Sequence, residues 1–120
     1  MTPGKSETLK IELSDTQGGT RLLKLVGPFT IRTLFELQQI ARQQTAKRIG
    51  IDVSEVPYMD SAGLGSLITV FASCQRDRRE FGVIGATERI ETLFQVSGVA
   101  GVIPTFPTIE AMESAAKRSQ

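Results

Sequence analysis

One segment of the sequence groups residues that could take part in phosphate or acyl chemistry. The run Met59-Asp-Ser-Ala-Gly-Leu-Gly65 places two strong helix-capping residues, Asp60 and Ser61, just before two glycines. Each glycine costs about 1 kcal/mol relative to alanine in a helix, and close approach of another group to the backbone would explain that cost. Open amides at a helix N-terminus also favour an anion. We therefore treat this segment as the candidate site.

Four interpretations of the segment follow from its residue types. The first is a capped helix whose glycines serve packing. The second is a phosphate-binding loop, but the Lys-Ser/Thr ending of such loops is absent. The third is a nucleophilic serine, which would need glycine where Met59 stands and a histidine base that the chain lacks. The fourth is that Ser61 accepts a phosphate from another protein. The residues exclude the third, argue against the second and leave the first and the fourth open.

The amino-acid composition excludes several common kinds of enzyme active site. The 120 residues include no His and a single Cys, Cys74. A chain without His cannot form a Ser-His-Asp relay or an imidazole-ligated metal site within one subunit. A single Cys excludes an internal disulfide and a four-thiolate zinc site, and it fits a reducing compartment. We expect no catalytic residues, no metal, no cofactor and no enzymatic activity belonging to this chain.

The net charge and the hydropathy of the chain limit the kinds of partner that we expect. Fourteen Lys and Arg residues face thirteen Asp and Glu residues, so the net charge is +1. Such a balance gives no strong attraction to nucleic acid or to an anionic membrane. No apolar run approaches the roughly 18 residues of a membrane span, and the first residues lack the apolar centre of a signal peptide. We expect a cytoplasmic protein with no nucleic-acid partner and no membrane span.

The segments around the site alternate between strand and helix patterns. Apolar residues alternate in the first segment, and a β-branched run favours a central parallel strand before the site. The predicted order is β-β-α-β-α-β-α-β-α, a mixed sheet that begins with a hairpin at one edge. We expect one domain over residues 8–117, with tails at 1–7 and 118–120. Strands are predicted at 9–13, 21–26, 48–53, 81–86 and 102–103, and helices begin near Thr30, Ser61, Thr87 and Pro107 or Thr108.

Several side chains have a predicted place in the core. Phe29 and Phe35 are expected to be core or staple residues, and Cys74 a half-buried small apolar residue. Gly98 is expected to end the third helix in a left-handed conformation. The buried stripe of the second helix is predicted to consist of Leu64, Leu67, Ile68 and Phe71.

A resemblance adds to these interpretations. The run from Lys47 to Leu67, which contains Met-Asp-Ser-Ala-Gly-Leu-Gly, closely resembles the bacterial anti-sigma factor antagonists, the family that defines the STAS domain. Ile90 to Gly98 is similar to the third helix of that family and its closing Ser-Gly. The resemblance covers roughly residues 8–116. It implies an α/β STAS-like fold, a single mixed sheet of about five strands with about four helices.

The resemblance also implies a function and a set of site residues. It implies that Ser61 is phosphorylated by an anti-sigma factor that is itself an ATP-dependent serine kinase. The unphosphorylated antagonist would bind that kinase and release the sigma factor, and a metal-dependent serine phosphatase would reset the phosphorylated form. The protein would act as a monomer or weak dimer. The resemblance implies partner-binding roles for Asp60, Ala62, Gly63, Leu64, Gly65, Met59 and Thr30.

Two departures from the family pattern leave alternatives open. The family usually carries Asp at the position of Thr30, so a carboxylate near the partner surface is missing. The segment Arg78-Arg79-Glu80 replaces a turn that is often rich in glycine, and it fits either a solvated helix end or a basic docking patch. The resemblance also fits a second role, a scaffold subunit of a stress-signalling assembly or of a lipid transport complex.

Overall fold

The computed structural model describes residues 8–118, which form a five-stranded sheet and four helices in the predicted order. Strand order in space follows the chain, β1-β2-β3-β4-β5. β1 is antiparallel to β2, and every later pair is parallel, so the predicted mixed sheet with an edge hairpin is confirmed. The strands are β1 Lys10–Asp15, β2 Arg21–Val26, β3 Arg48–Glu55, β4 Glu80–Ile84 and β5 Thr105–Phe106, and the helices are α1 Leu34–Arg42, α2 Ser61–Arg76, α3 Glu88–Val96 and α4 Ile109–Arg118.

The centre of the sheet contributes buried side chains to the apolar core. β3 hydrogen-bonds to β2 on one side and β4 on the other, both in parallel. Its Ile49, Ile51 and Val53 side chains are buried and join one continuous apolar cluster with residues from the helices. The prediction of a central parallel strand at this position is confirmed. Its β-branched residues share the buried face, whereas on the other face Asp52 is partly exposed and Ser54 is exposed.

The first strand is less buried than its alternating pattern predicts. Leu9 joins the core, but Leu13 is 44% exposed. β1 is an edge strand with a single neighbour, and the core cluster reaches Leu9 and Ile11 without extending as far as Leu13. The alternation of apolar and polar residues along β1 therefore follows the alternating direction of its side chains, but the core does not cover the whole apolar face.

The first helix begins later than predicted. It starts at Leu34, and Thr30 lies in the turn that precedes it, where its carbonyl accepts from the amides of Thr33 and Leu34. The Thr33 hydroxyl donates to the Pro28 carbonyl at 2.9 Å instead of capping the helix. Thr30 is therefore not the N-cap; it closes the connection between β2 and α1. The prediction that Phe35 is a core or staple residue is wrong: Leu34 and Leu37 form the buried face of α1, and Phe35 lies about 100° around the helix from Leu34, where it is exposed.

Three further expectations need correction. On α2, Ile68 lies outside the buried stripe, whereas Val70 and Cys74 lie inside it. Cys74 is fully buried, and burial raises the pKa of its thiol. The fifth strand forms at Thr105–Phe106 and not at residues 102–103, because the connection after α3 needs a further turn before the Pro104 carbonyl reaches the amide of Val83 on β4.

The later caps agree with the sequence patterns. The Thr87 hydroxyl accepts from the amide of Ile90, and the Thr108 hydroxyl accepts from the amide of Ala111. Gly98 follows α3 with a φ of +76°, the left-handed conformation that glycine adopts without strain. Across residues 8–118, no helix is long and apolar enough to cross a bilayer.

Candidate functional site

The site begins where two neighbouring strands end. β2 and β3 are parallel, so the segments that follow them emerge at the same edge of the sheet. Phe29, after β2, pairs with Met59, after β3, in an isolated parallel bridge. The Phe29 amide donates to the Tyr58 carbonyl at 2.9 Å, and both the Phe29 and Met59 side chains are buried. The two loops are therefore joined by backbone hydrogen bonds directly beneath the start of α2.

Asp60 holds this junction together. One carboxylate oxygen, Oδ1, accepts from the amide of Gly63 at 2.8 Å and caps α2. The other, Oδ2, accepts from the amide of Ile31 at 3.1 Å in the turn before α1. The predicted helix start at residues 60–61 is confirmed. A single carboxylate thus connects the first turn of α2 to the neighbouring loop, which positions both relative to each other.

Ser61 is the first residue of α2 and is exposed. Within residues 8–118 its hydroxyl makes no hydrogen bond that would hold it against the protein surface. The N-terminal end of a helix of sixteen residues carries a positive partial charge, and this stabilises a nearby anion by about 0.3–1 kcal/mol. Chemically, the arrangement is an accessible primary hydroxyl at a position where an added phosphate is tolerated electrostatically.

The two glycines of the motif differ in the space that surrounds them. A Cβ at Gly63 would overlap the carbonyl oxygen of Phe29, so the joined loops leave no room for a side chain there. A Cβ at Gly65 would meet nothing within 4 Å, and Gly65 is exposed. Packing within the chain therefore explains Gly63 but not Gly65, whose cost to the helix is uncompensated among the described residues.

The exposed face of α2 is unusual for a surface helix. Solvent-facing stripes normally carry charged or strongly polar residues. Here no charged residue occurs between Ser61 and Gln75, and the exposed positions hold small, hydroxyl or apolar side chains. We call this surface the uncharged face. It is formed by Ser61, Gly65, Ile68, Thr69 and Ala72.

Three large apolar side chains are exposed on the two loops of the junction and on the first turn of α1, and sequence reasoning did not identify them as functional. Ile31 is 61% exposed, Phe35 64% and Tyr58 47%. The Ile31 amide binds Asp60 and the Tyr58 carbonyl binds Phe29, so two of the three are tied directly to the junction. We call these residues the apolar rim. For Ile31 and Phe35 the sequence signal is the density of apolar residues at 29–37; the sequence carries no such signal for Tyr58.

The sequence-predicted site residues divide into two groups. Ser61 and Gly65 are exposed, and Asp60 and Ala62 are partly exposed. The remaining four residues are buried within the chain itself, so they shape the site from beneath and do not present side chains on its surface. These four are Met59, Gly63, Leu64 and Thr30.

Comparison with known proteins agrees with this architecture. Residues 13–112 match the STAS domain family. The anti-sigma-B factor antagonist of Staphylococcus aureus is 30% identical over 94 residues, which are 76% of this chain and 86% of that protein.

Solved structures share the fold at lower identity. An anti-sigma factor antagonist from Mycobacterium paratuberculosis matches with a TM-score of 0.79 and 20% identity, covering 92% of this chain and 94% of that one. The Bacillus cell fate determinant SpoIIAA in its phosphorylated form matches with a TM-score of 0.65 and 15% identity, covering 88% and 99%.

Proposed function

This chain belongs to the STAS domain family, and from that premise we propose that it is an anti-sigma factor antagonist whose binding is switched by phosphorylation of Ser61. The unphosphorylated protein binds an anti-sigma factor that is a serine kinase, and this binding releases the sigma factor. Phosphorylation of Ser61 ends the binding, and a metal-dependent serine phosphatase restores it.

One observation carries the proposal: Ser61 is an exposed hydroxyl at the first position of α2, and Asp60 fixes that position through two backbone amides. A kinase needs a hydroxyl that can enter its active site without unfolding the substrate. In the transfer, the γ-phosphoryl group of ATP leaves ADP and bonds to Oγ of Ser61, and the hydroxyl proton passes to a base of the kinase. The catalytic groups belong to the partner, so this chain supplies only the acceptor.

Electrostatics explain why one phosphate is sufficient for a switch. Phosphorylation adds a charge of about −1.5 to −2 at neutral pH, one residue from the Asp60 carboxylate. The helix N-terminus stabilises that charge within the antagonist, so the fold should persist. A partner surface shaped for a neutral hydroxyl would instead desolvate a dianion. Repulsion of this kind costs several kcal/mol, and about 3 kcal/mol weakens binding roughly a hundredfold.

The surfaces around Ser61 support a protein partner. A partner can cover the uncharged face without removing water from charged groups. Because Gly65 has no side chain, the backbone of the partner can approach α2 closely there. The apolar rim adds large side chains of the kind that dominate binding energy at interfaces. The buried residues of the motif act by holding this surface in shape, since Gly63 allows the loop of Phe29 to pack against α2.

Mapping the phosphate tests the proposal most simply. The purified protein is incubated with its cognate anti-sigma factor and ATP, and tryptic peptides are examined by mass spectrometry. We expect one phosphate, on Ser61, and none in a Ser61→Ala variant. Ser54→Ala is the matched control, because Ser54 is another exposed serine near the same edge of the sheet. A phosphate that maps to another residue, or no phosphate, contradicts the site assignment. A separate observation, isolation of the protein in a permanent large complex, would instead favour a scaffold role.

A further inference from the structure

A second surface lies at the opposite end of α2, in a groove between the C-terminal halves of α1 and α2. The groove has a volume of about 250 Å³, with Val70 and the buried Cys74 on its floor. A neighbouring concavity shares Asp77 and Arg79 with it. We call the combined surface the basic groove. Its cations are Arg42, Lys47, Arg76, Arg78 and Arg79.

The charge of this surface departs from that of the chain. Five cations and one carboxylate, Asp77, give the basic groove a net charge of +4, whereas the whole chain carries +1, so the remainder carries −3. Asp77 is already paired, at 3.1 Å with Arg79 and at 3.7 Å with Arg76. Within residues 8–118, Arg42, Lys47 and Arg78 form no ion pair. Three cations of the groove therefore face solvent without a counter-charge.

The backbone conformation at Arg78 favours glycine, so folding does not require an arginine at this position. The Arg79 amide donates to the Cys74 carbonyl at 2.7 Å, which closes α2 with a Schellman turn. That turn needs a left-handed residue, and Arg78 occupies the position with a φ of +60°. Glycine is the residue that fits there without strain. The helix dipole accounts for cations in the last turns, Arg42 and Arg76, but it does not require an arginine in the strained position.

We propose that the basic groove docks an acidic segment of a partner protein, with its carboxylates at Arg42, Lys47 and Arg78 and an apolar side chain on the floor. The basic groove consists of two adjoining concavities of about 250 and 560 Å³ that share Asp77 and Arg79, so an extended segment lying across both fits it better than a compact molecule held inside one. The apolar floor at Val70 favours a peptide over a nucleic acid, because a peptide can supply an apolar side chain.

This docking is independent of the switch at Ser61. A helix of sixteen residues is about 24 Å long, and the Debye length at physiological ionic strength is about 8 Å. A phosphate at Ser61 is therefore screened from the basic groove. A partner held there stays bound whether Ser61 is phosphorylated or not, and the inference holds even if Ser61 has no phosphate acceptor role.

Nuclear magnetic resonance titration of the full-length chain tests the docking. The probe is an acetylated nine-residue peptide with three Glu-Glu-Leu repeats, and its control has Gln in place of Glu. We expect amide shifts confined to residues 41–47 and 73–80, weakening as salt increases. The triple variant Arg42→Gln, Lys47→Gln, Arg78→Gly should bind at least tenfold more weakly, whereas Arg89→Gln, an exposed arginine on α3, and Ser61→Asp should bind as the wild type does.

Three results would overturn the inference. One is an unchanged affinity in the triple variant, provided that its amide spectrum shows a folded chain. Another is equal binding of the Glu and Gln peptides, which would remove charge from the recognition. The third is stronger binding, through the same residues, to vesicles containing phosphatidylserine, which would make this surface a membrane contact.

Discussion

The two ends of α2 present opposite surfaces to a partner. At the N-terminal end, Ser61 lies on a face without charges, bordered by exposed apolar side chains. At the C-terminal end, the basic groove gathers five cations around a small apolar floor. In the proposed function, binding at the first end depends on desolvation, so a single added phosphate would abolish it. In the proposed docking, binding at the second end depends on attraction between charges, so salt would weaken it and a distant phosphate would not.

Removing an apolar rim residue should strongly weaken partner binding and should act only at the N-terminal end. Phe35→Ala should weaken binding of the cognate anti-sigma factor by about 2 kcal/mol, roughly thirtyfold, because exposed aromatic anchors carry much of the energy of an interface. Isothermal titration calorimetry measures the change. Val96→Ala is the control, since Val96 is 77% exposed but lies at the end of α3. Equal losses in the two variants would show that the apolar rim has no special role.

Alanine substitutions at Gly63 and Gly65 distinguish an effect on folding from an effect on binding. Gly63→Ala should lower the free energy of unfolding by about 1–3 kcal/mol, because the new Cβ overlaps the Phe29 carbonyl. Gly65→Ala should raise it by up to about 1 kcal/mol, because alanine is the better helix former and its Cβ meets open space. Urea denaturation gives both values.

The same pair sharpens the account of the uncharged face. Gly65→Ala should bind the anti-sigma factor more weakly than the wild type although it is more stable, because its methyl group stands where the partner backbone approaches. A more stable variant with undiminished binding would mean that nothing approaches α2 at Gly65.

At the opposite end, a single substitution should improve stability. Arg78→Gly should raise the free energy of unfolding by up to about 1 kcal/mol, because glycine adopts a φ of +60° without steric cost. Thermal unfolding followed by circular dichroism measures it. Arg76→Gln, two residues earlier and within the regular part of α2, is the matched control and should not stabilise the chain. A loss of stability in Arg78→Gly would mean that the arginine side chain supports the fold.

The smallest effect concerns pH. Glu113 on α4 accepts hydrogen bonds from the Thr16 and Thr20 hydroxyls in the β1–β2 turn, and these hold the pKa of its carboxyl below the usual value. A lowered pKa means that this contribution to stability is full above the unfolded-state pKa, about 4.3, and is lost as the pH falls below it. Glu113→Gln should therefore be less stable than the wild type at pH 7, and the difference should shrink at pH 3. A difference independent of pH would remove the carboxylate from the explanation.

Local signals predicted the elements that carry the site. The β-branched run of β3 and the capping pair Asp60-Ser61 each depend on residues adjacent in the chain, so the strand and the helix start follow from the sequence. The start of α1 does not, because the Thr33 hydroxyl binds the Pro28 carbonyl and moves the helix start beyond Thr30. That choice depends on the folded connection between β2 and α1.

The differences between residues of one type were also invisible in the sequence. Gly63 and Gly65 belong to the same motif, yet only the position of the distant Phe29 carbonyl distinguishes them. Phe29 and Phe35 differ in a similar way, since Phe29 is buried where its backbone pairs with Met59, whereas Phe35 lies away from the buried face of α1 that Leu34 and Leu37 form. Side-chain identity gave the candidate site, whereas the tertiary contacts of the two loops decide which side chains face a partner.

The central claim is that a phosphate on the Ser61 hydroxyl controls binding of the anti-sigma factor. Its most direct test is calorimetric titration of the cognate anti-sigma factor into the wild-type protein before and after complete phosphorylation of Ser61, with phosphatase treatment to reverse the change. We predict that phosphorylation weakens binding at least about a hundredfold and that dephosphorylation restores it. Equal affinities of the phosphorylated and unphosphorylated proteins would contradict the account.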